Sequence, residues 1–323
     1  MIIKRIVKVA AIVAFALGFA GLAAAQIPFE QIDVPGSTSA IATGINNLNQ
    51  VVGWYTTNNS SGTGFEFQNG AFMNLNVSVP GADVLSTQPL AINDTGTIAG
   101  VFTGASGPEG FLLNGSGYSI VAGPAGSIED EATAIDNSGD VAGWDVNGSS
   151  VTQGFILSGG AYTTIAVPGA TATEITGINS AGGAVVGITD LFTGQQAGFI
   201  YDYGATNPQF FTFNLPPALT INSMSINDSG EIACTYAGIN GLTHGCISNG
   251  VTFSTVDDLN GVGTTSLTGI NDSGFVVGSF VDANGVTRGI VSTPEASTVM
   301  LFGVGLLGVA LAGAARRKPA PLG

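Results

Sequence analysis

The sequence predicts an all-β protein, a six-bladed β-propeller of four-stranded blades spanning residues 27–293. Three observations predict it. First, a short string recurs six times, as GINNLNQVVGWY, AINDTGTIAGVF, AIDNSGDVAGWD, GINSAGGAVVGI, SINDSGEIACTY and GINDSGFVVGSF. Second, its anchors Asn46, Asn93, Asp136, Asn179, Asn227 and Asn271 stand 47, 43, 43, 48 and 44 residues apart, and a period near 45 made of strand-like pieces marks propeller blades. Third, first, second and third strands each occur six times, but only five fourth strands follow a third strand. The absent one, PFEQIDVPGS at 28–37, opens the mature chain. Pairing it with the last repeat closes a ring and buries the open edges. An open β-solenoid or sandwich array, the alternative, gives no reason for that count.

Each repeat reads as follows. A first strand such as SAIATGIN ends in the G-I-N string. The turn N-D-S-G comes next and suits a type I turn, with Asn capping through its side chain and Gly taking positive φ. The second strand, as in QVVGWY, has consecutive apolar residues, which argue for burial on both faces. The third strand begins at GFEF, GFLL, GFIL, GFIY, GCIS or GIVS. Tight turns (QNGA, SGGA, SNGV) lead to fourth strands typified by AYTTIAVPGA. The recurring string is therefore the inner hairpin of a blade. A calcium loop is the weaker reading of N-D-S-G, because the alternating acids and distal bidentate Glu of such loops are missing.

Composition narrows the function classes. Of seven basic residues only Arg288 falls between residues 26 and 294, against 21 of the 22 acids. The body therefore carries a formal charge of −20, which repels nucleic acid and anionic polymers. Apolar residues make up 45% of the chain and charged ones 9%, unlike a disordered protein and like an extracellular all-β one.

Both ends read as signals. Residues 1–25 place Lys4, Arg5 and Lys8 around an apolar run that closes on Ala23-Ala24-Ala25. Ala23 and Ala25 before Gln26 form the A-x-A site of a secretory leader, cut by signal peptidase. At the other end, residues 299–315 are free of charge and long enough to cross a bilayer. The basic cluster Arg316, Arg317, Lys318 that follows would hold residues 319–323 in the cytoplasm.

The tail at 294–318, with Pro294, Glu295 and Ala296 ahead of the apolar stretch and basic cluster, resembles the PEP-CTERM sorting signal. Ala296 stands where that family has a second proline. The resemblance implies a Gram-negative bacterium that makes exopolysaccharide, and cleavage near the motif by an exosortase. It also implies export across the inner membrane, at least transient anchoring, and delivery to the cell surface or extracellular matrix. The repeat itself resembles HAF-type extracellular repeats, whose core is a GIN-x-x-G-x-V-V-G string; that family implies no defined activity.

Few residues in the body bear chemistry. Cys234 takes the place of the glycine in VVG and Cys246 that of the phenylalanine in GF, so the two should face each other across a hairpin. In an exported protein they are expected to form a disulfide, with two buried thiols as the alternative. His244, the sole histidine, has no His or Cys partner at metal spacing and reads as a polar surface residue. Lysine is absent from the body and no G-x-S-x-G elbow is present. Carboxylates remain: Asp83, Glu129, Asp130, Glu131, Asp145, Glu174, Asp190 and Asp282 are expected in the loops joining fourth to first and second to third strands. Those loops share one face, opposite the N-D-S-G turns, and vary most between copies, as binding loops do. The resulting expectation is a non-catalytic surface or matrix protein with no cofactor, its acidic face contacting exopolysaccharide, cations or another surface protein. A glycan hydrolase or lyase using paired carboxylates is the alternative, and a permanently anchored membrane protein is another.

Overall fold

The computed structural model describes residues 27–293 except 59, 79–82, 106, 182, 193–194, 214–218, 251 and 262. The leader with its Ala23, Ala25 and Gln26 site lies outside the described residues, as does the tail with Pro294, Glu295, Ala296, the stretch 299–315 and Arg316, Arg317 and Lys318. Among the described residues no helix is long and apolar enough to cross a membrane.

Among the described residues all regular elements are strands, and they pair mainly in fours. β1 (Phe29–Ile32) stands apart from the chain that follows it. Next come β2 (Ser39–Ile45), β3 (Val51–Thr57), β4 (Ser60–Gln68) and β5 (Ala71–Leu75), then β6 (Ser86–Ile92), β7 (Ile98–Gly104), β8 (Gly107–Asn114) and β9 (Gly117–Val121). β10 (Ser127–Ile135), β11 (Val141–Asn147), β12 (Thr152–Ser158) and β13 (Ala161–Ile165) lead to β14 (Ala170–Ile178), β15 (Ala184–Leu191), β16 (Gln196–Asp202) and β17 (Phe210–Phe213). The last are β18 (Thr220–Ile226), β19 (Ile232–Ala237), β20 (Thr243–Ser248) and β21 (Phe253–Val256), then β22 (Ser266–Ile270), β23 (Val276–Val281) and β24 (Thr287–Ser292). Four sheets hold four strands each and a fifth holds β10–β17. That larger sheet is two antiparallel quartets joined by one parallel bridge, Thr152 to Ala172.

The first strand of the chain completes the last sheet, in the order β1-β24-β23-β22. Phe29 stands opposite Ser292 and Ile32 opposite Gly289, and the Thr293 amide donates to Pro28 O at 2.9 Å. Third strands start earlier than the GF dipeptides indicate, because backbone pairing with the second strand runs on to the connecting turn. Gly104 pairs Gly107, and Thr57 pairs Ser60.

Apolar clusters lie between successive sheets, since both faces of each second strand are covered. Val52 and Leu75 meet Ile92, Ile98 and Phe111; Ala99 and Val121 meet Ala132 and Phe155; Ile32 and Val277 meet Ala42, Val51 and Phe65. Each fully buried Phe or Ile contributes about 1.5–3 kcal/mol of transfer free energy.

Within a sheet, a glycine of the second strand sits opposite a ring of the third. Gly53 faces Phe65, Gly100 faces Phe111, Gly143 faces Phe155 and Gly187 faces Phe199. A Cβ at Gly143 would collide with the Glu131 carbonyl as well as the Phe155 ring, so no larger residue fits. In the fifth copy the contact is replaced: Cys234 pairs Cys246 directly and their sulfurs are bonded, with Cα atoms 4.9 Å apart.

Candidate functional site

The two ends of the assembly differ. At one end lie the N-D-S-G turns. Asn46 accepts on Oδ1 from the amides of Leu48 and Gln50, and Asn93, Asp136, Asn227 and Asn271 cap their turns in the same way. The turn glycine takes positive φ, as at Gly96 (77°) and Gly274 (78°), and Asn49 does so at 57° where the first copy has no glycine.

The same letters also join the sheets, which the sequence reading missed. The amide of Asn47 donates to Asp94 Oδ1 at 2.8 Å, Asp94 to Asn137 Oδ1 at 2.8 Å, and Asn137 to Ser180 Oγ at 3.0 Å. Ser180 then donates to Asp228 Oδ1 and Asp228 to Asp272 Oδ1, both at 2.7 Å, and Asp272 returns to Asn47 Oδ1 at 2.8 Å. The signal for this circuit was an Asn, Asp or Ser directly after every anchor. Beneath it the anchor carboxamides reach the next anchor's carbonyl: Asn46 to Asn93, Asn93 to Asp136, Asn179 to Asn227, Asn227 to Asn271, and Asn271 to Asn46. Asp136 cannot donate, so one link is missing. An axial cavity of about 90 Å³ lies among these residues, with Thr43, Thr133, Thr176 and Thr268 in its wall. Its polar groups are largely engaged with one another.

The opposite end carries the predicted acids, but mostly on strands. Glu129, Asp130 and Glu131 lie in β10, Asp145 in β11, Glu174 in β14 and Asp190 in β15. The expectation that they sit in loops is corrected: these strands run to the rim of their sheets, because backbone pairing tolerates polar side chains there. Only Asp83, before β6, and Asp282, after β23, are outside strands. Nor are all displayed: Asp130 is 6% exposed and Asp145 fully buried.

Burial sets the electrostatics. It pushes Glu131 up to about 7, with Glu174, Asp130 and Glu129 adding repulsion. It pushes Asp130 up to about 6 against the opposing bond from the Gly110 amide, with Glu109 and Asp145 adding repulsion. Glu174 is raised by burial and then by Asp190. Asp282 behaves oppositely: amide bonds from Val286 and Asn284 and the neighbouring Arg288 hold it below the usual carboxylate range. Arg288 also approaches Asp33 at 3.4 Å.

His244 is not a free surface residue. It stacks on Tyr236 with ring centroids 5.3 Å apart, and its Nδ1 is 2.8 Å from Asp257 Oδ2. The strand register that pairs Tyr236 with His244 places it there. Among the described residues no three His, Cys, Asp or Glu side chains converge as a metal centre. Around the acidic rim lie exposed apolar side chains, Leu85, Ile128, Phe192, Ile239, Leu242 and Leu259. Carboxylates beside bare apolar surface can hold a ligand by hydrogen bonds and stacking.

Residues 292–318 match the PEP-CTERM protein-sorting motif. The tail carries a protein-sorting motif. Its match begins within β24, whose chain leaves the sheet at the end where the N-D-S-G turns lie. Such a motif implies export and sorting to a surface or membrane. No curated protein sequence matches this chain. Among solved structures it is similar to a putative TolB from Agrobacterium tumefaciens, with TM-score 0.54 and 9% identity over 79% of this chain and 91% of that one. It is also similar to the fucose-specific lectin from Aleuria aurantia, with TM-score 0.52 and 12% identity over 81% and 100%. A third is the β-propeller domain of the Trilobed protease from Pyrococcus furiosus, with TM-score 0.50 and 9% identity over 80% and 96%. At such identities the likeness establishes an all-β, propeller-like fold.

Proposed function

We propose that this chain is an exported, surface-sorted binding protein without catalytic activity, a six-bladed propeller that presents its acidic rim to an extracellular glycan. In this reading signal peptidase cuts before Gln26 and residues 299–315 hold the chain in the membrane. An exosortase then acts near Pro294, Glu295 and Ala296, and the protein joins an exopolysaccharide layer. The HAF-like repeat string fits such an extracellular role.

One observation carries the proposal: the direction in which the chain leaves the fold. β24 is a third strand, so it ends on the side of the N-D-S-G turns, beside Pro28 at the start of β1. A tail beginning there points that side toward the membrane and turns the acidic, apolar-studded rim outward. Variation between copies is concentrated on that outward rim, as expected of a recognition surface carried on a rigid scaffold. The kinship of fold with a protein described as a fucose-specific lectin agrees with glycan binding.

The test is sedimentation of the exported protein with exopolysaccharide from the producing cells. Retention that falls at least several-fold in Phe192→Ala and Ile239→Ala supports the reading. Release of new reducing ends, lost in Glu131→Gln, would replace it with a carboxylate-dependent glycan hydrolase.

A further inference from the structure

Asp130 and Asp145 occupy a position that the other sheets fill differently. They pair directly between β10 and β11, and direct cross-strand partners share one face of the sheet. The corresponding pairs are Tyr55 with Ala40, Phe102 with Thr87, and Tyr236 with Ile221. Elsewhere, then, a ring fills this space, and in the β14–β15 pair Thr189 faces Thr173. Only the third repeat places two carboxylates in it.

The pair is buried without a compensating positive charge. Asp145 is 0% exposed. Its Oδ2 accepts from Ser127 Oγ at 2.8 Å and from Gln153 Nε2 at 3.3 Å, while its Oδ1 is buried with no partner. Asp130 Oδ1 accepts from the Gly110 amide of the neighbouring sheet at 2.8 Å. The hydroxyl of Tyr162 is close enough that both carboxylates, after burial itself, raise its pKa. Arg288 is the sole Lys or Arg between residues 26 and 294, and it is engaged with Asp282 and Asp33 on another sheet. Two carboxylates withdrawn from water need neutralisation by a proton or a cation. Among the described residues Asp145 Oδ1 has no hydrogen-bond donor, which leaves that oxygen free for such a partner.

We propose that Asp130 and Asp145 form a cation site between the β6–β9 and β10–β13 sheets, fitted to a hard divalent ion of the calcium class. The side-chain atoms bonded to the pair offer oxygen: the two carboxylates and Ser127 Oγ, which also donates to Pro124 O, and the side-chain oxygen of Gln153 once its amide is turned away from Asn147. Water completes the six to eight oxygens that calcium takes, and the absence of sulfur and imidazole disfavours zinc. This site is separate from the N-D-S-G turns, and its ion would tie β8 to β10 through Asp130. The ion takes the place of the ring that packs this position in other sheets.

The experiment uses the full exported protein at pH 7.5. Calcium in the millimolar range is expected to raise Tm by about 5 °C over EDTA. Terbium is expected to bind saturably with emission sensitised by Trp144, the residue before Asp145, and to be displaced by calcium. Asp130→Asn and Asp145→Asn should lose both responses. Asp145→Phe, which restores the ring found in other sheets, should fold without calcium and lose both as well. A wild-type protein indifferent to calcium and dark with terbium overturns the proposal, as does any folded variant of the three that responds undiminished. A Tm that rises as pH falls from 7 to 5, with no calcium effect at either pH, also overturns it and assigns the pair a proton instead.

Discussion

Asp136 is the one anchor whose side chain cannot pass a hydrogen bond to the anchor that follows it. Its backbone carbonyl accepts from Asn93, and its Oδ1 caps the turn for Ser138 and Asp140. It is 5% exposed and burial raises its pKa. Asp136→Asn keeps the cap, removes a buried charge and supplies the missing donor toward Asn179 O. It is expected to stabilise by about 1 kcal/mol at pH 8, measured by denaturant unfolding. Glu131 gives a pH-dependent companion. Its folded pKa is raised, so the folded state binds its proton more tightly than the unfolded state does. That stabilisation is present below about pH 4.5 and is lost as pH rises to about 7. Glu131→Gln should therefore be close to neutral at pH 4 and should stabilise by about 1 kcal/mol at pH 8, a figure reduced for the carboxylate's remaining contact with water.

At the scale of the hairpin, the second and third strands depend on a glycine that admits a ring. Gly143→Ala forces a methyl against the Glu131 carbonyl and Phe155. It is expected to cost about 2–3 kcal/mol or more, read as a lower midpoint in a urea titration. The β19–β20 hairpin uses the Cys234–Cys246 bridge in place of that contact. Reduction should lower stability by about 3 kcal/mol on the chain-entropy argument. Thiol labelling without reductant should detect no free cysteine in exported protein; two titratable thiols would contradict the bridge. The inner hairpins were legible beforehand because N-D-S-G carries its own turn chemistry and the alternation of strands is local. The start of the third strands was less so: residues such as Gly107 and Gln196 bear no strand signal and pair only because their neighbours do.

At the scale of the molecule, β1 is the fastening. Ile32 is 1% exposed and packs against Ala42, Val51 and Phe65 of the following sheet, while its own strand pairs with β24. Ile32→Ala should cost about 3 kcal/mol. A chain lacking residues 27–34 should expose the β24 edge and self-associate, which light scattering would register. Surface-fraction protein analysed by mass spectrometry should end near Pro294; protein that still carries Lys318 would mean permanent anchoring in place of sorting.

The order of strands, the wrap of β1 onto β24, the facing cysteines and the sorting tail could all be read from the chain alone. Each rests on a local string, a count or a register that repeats, and repetition makes small signals add. The interior was decided only in three dimensions. Which side chain follows each anchor is plain in the sequence, but that Asn47, Asp94, Asn137, Ser180, Asp228 and Asp272 form one circuit requires residues 225 positions apart to meet. Likewise Asp130 and Asp145 looked like rim acids, because polarity normally marks solvent. Their burial follows from a cross-strand register and an adjoining sheet, and spacing along one strand carries neither.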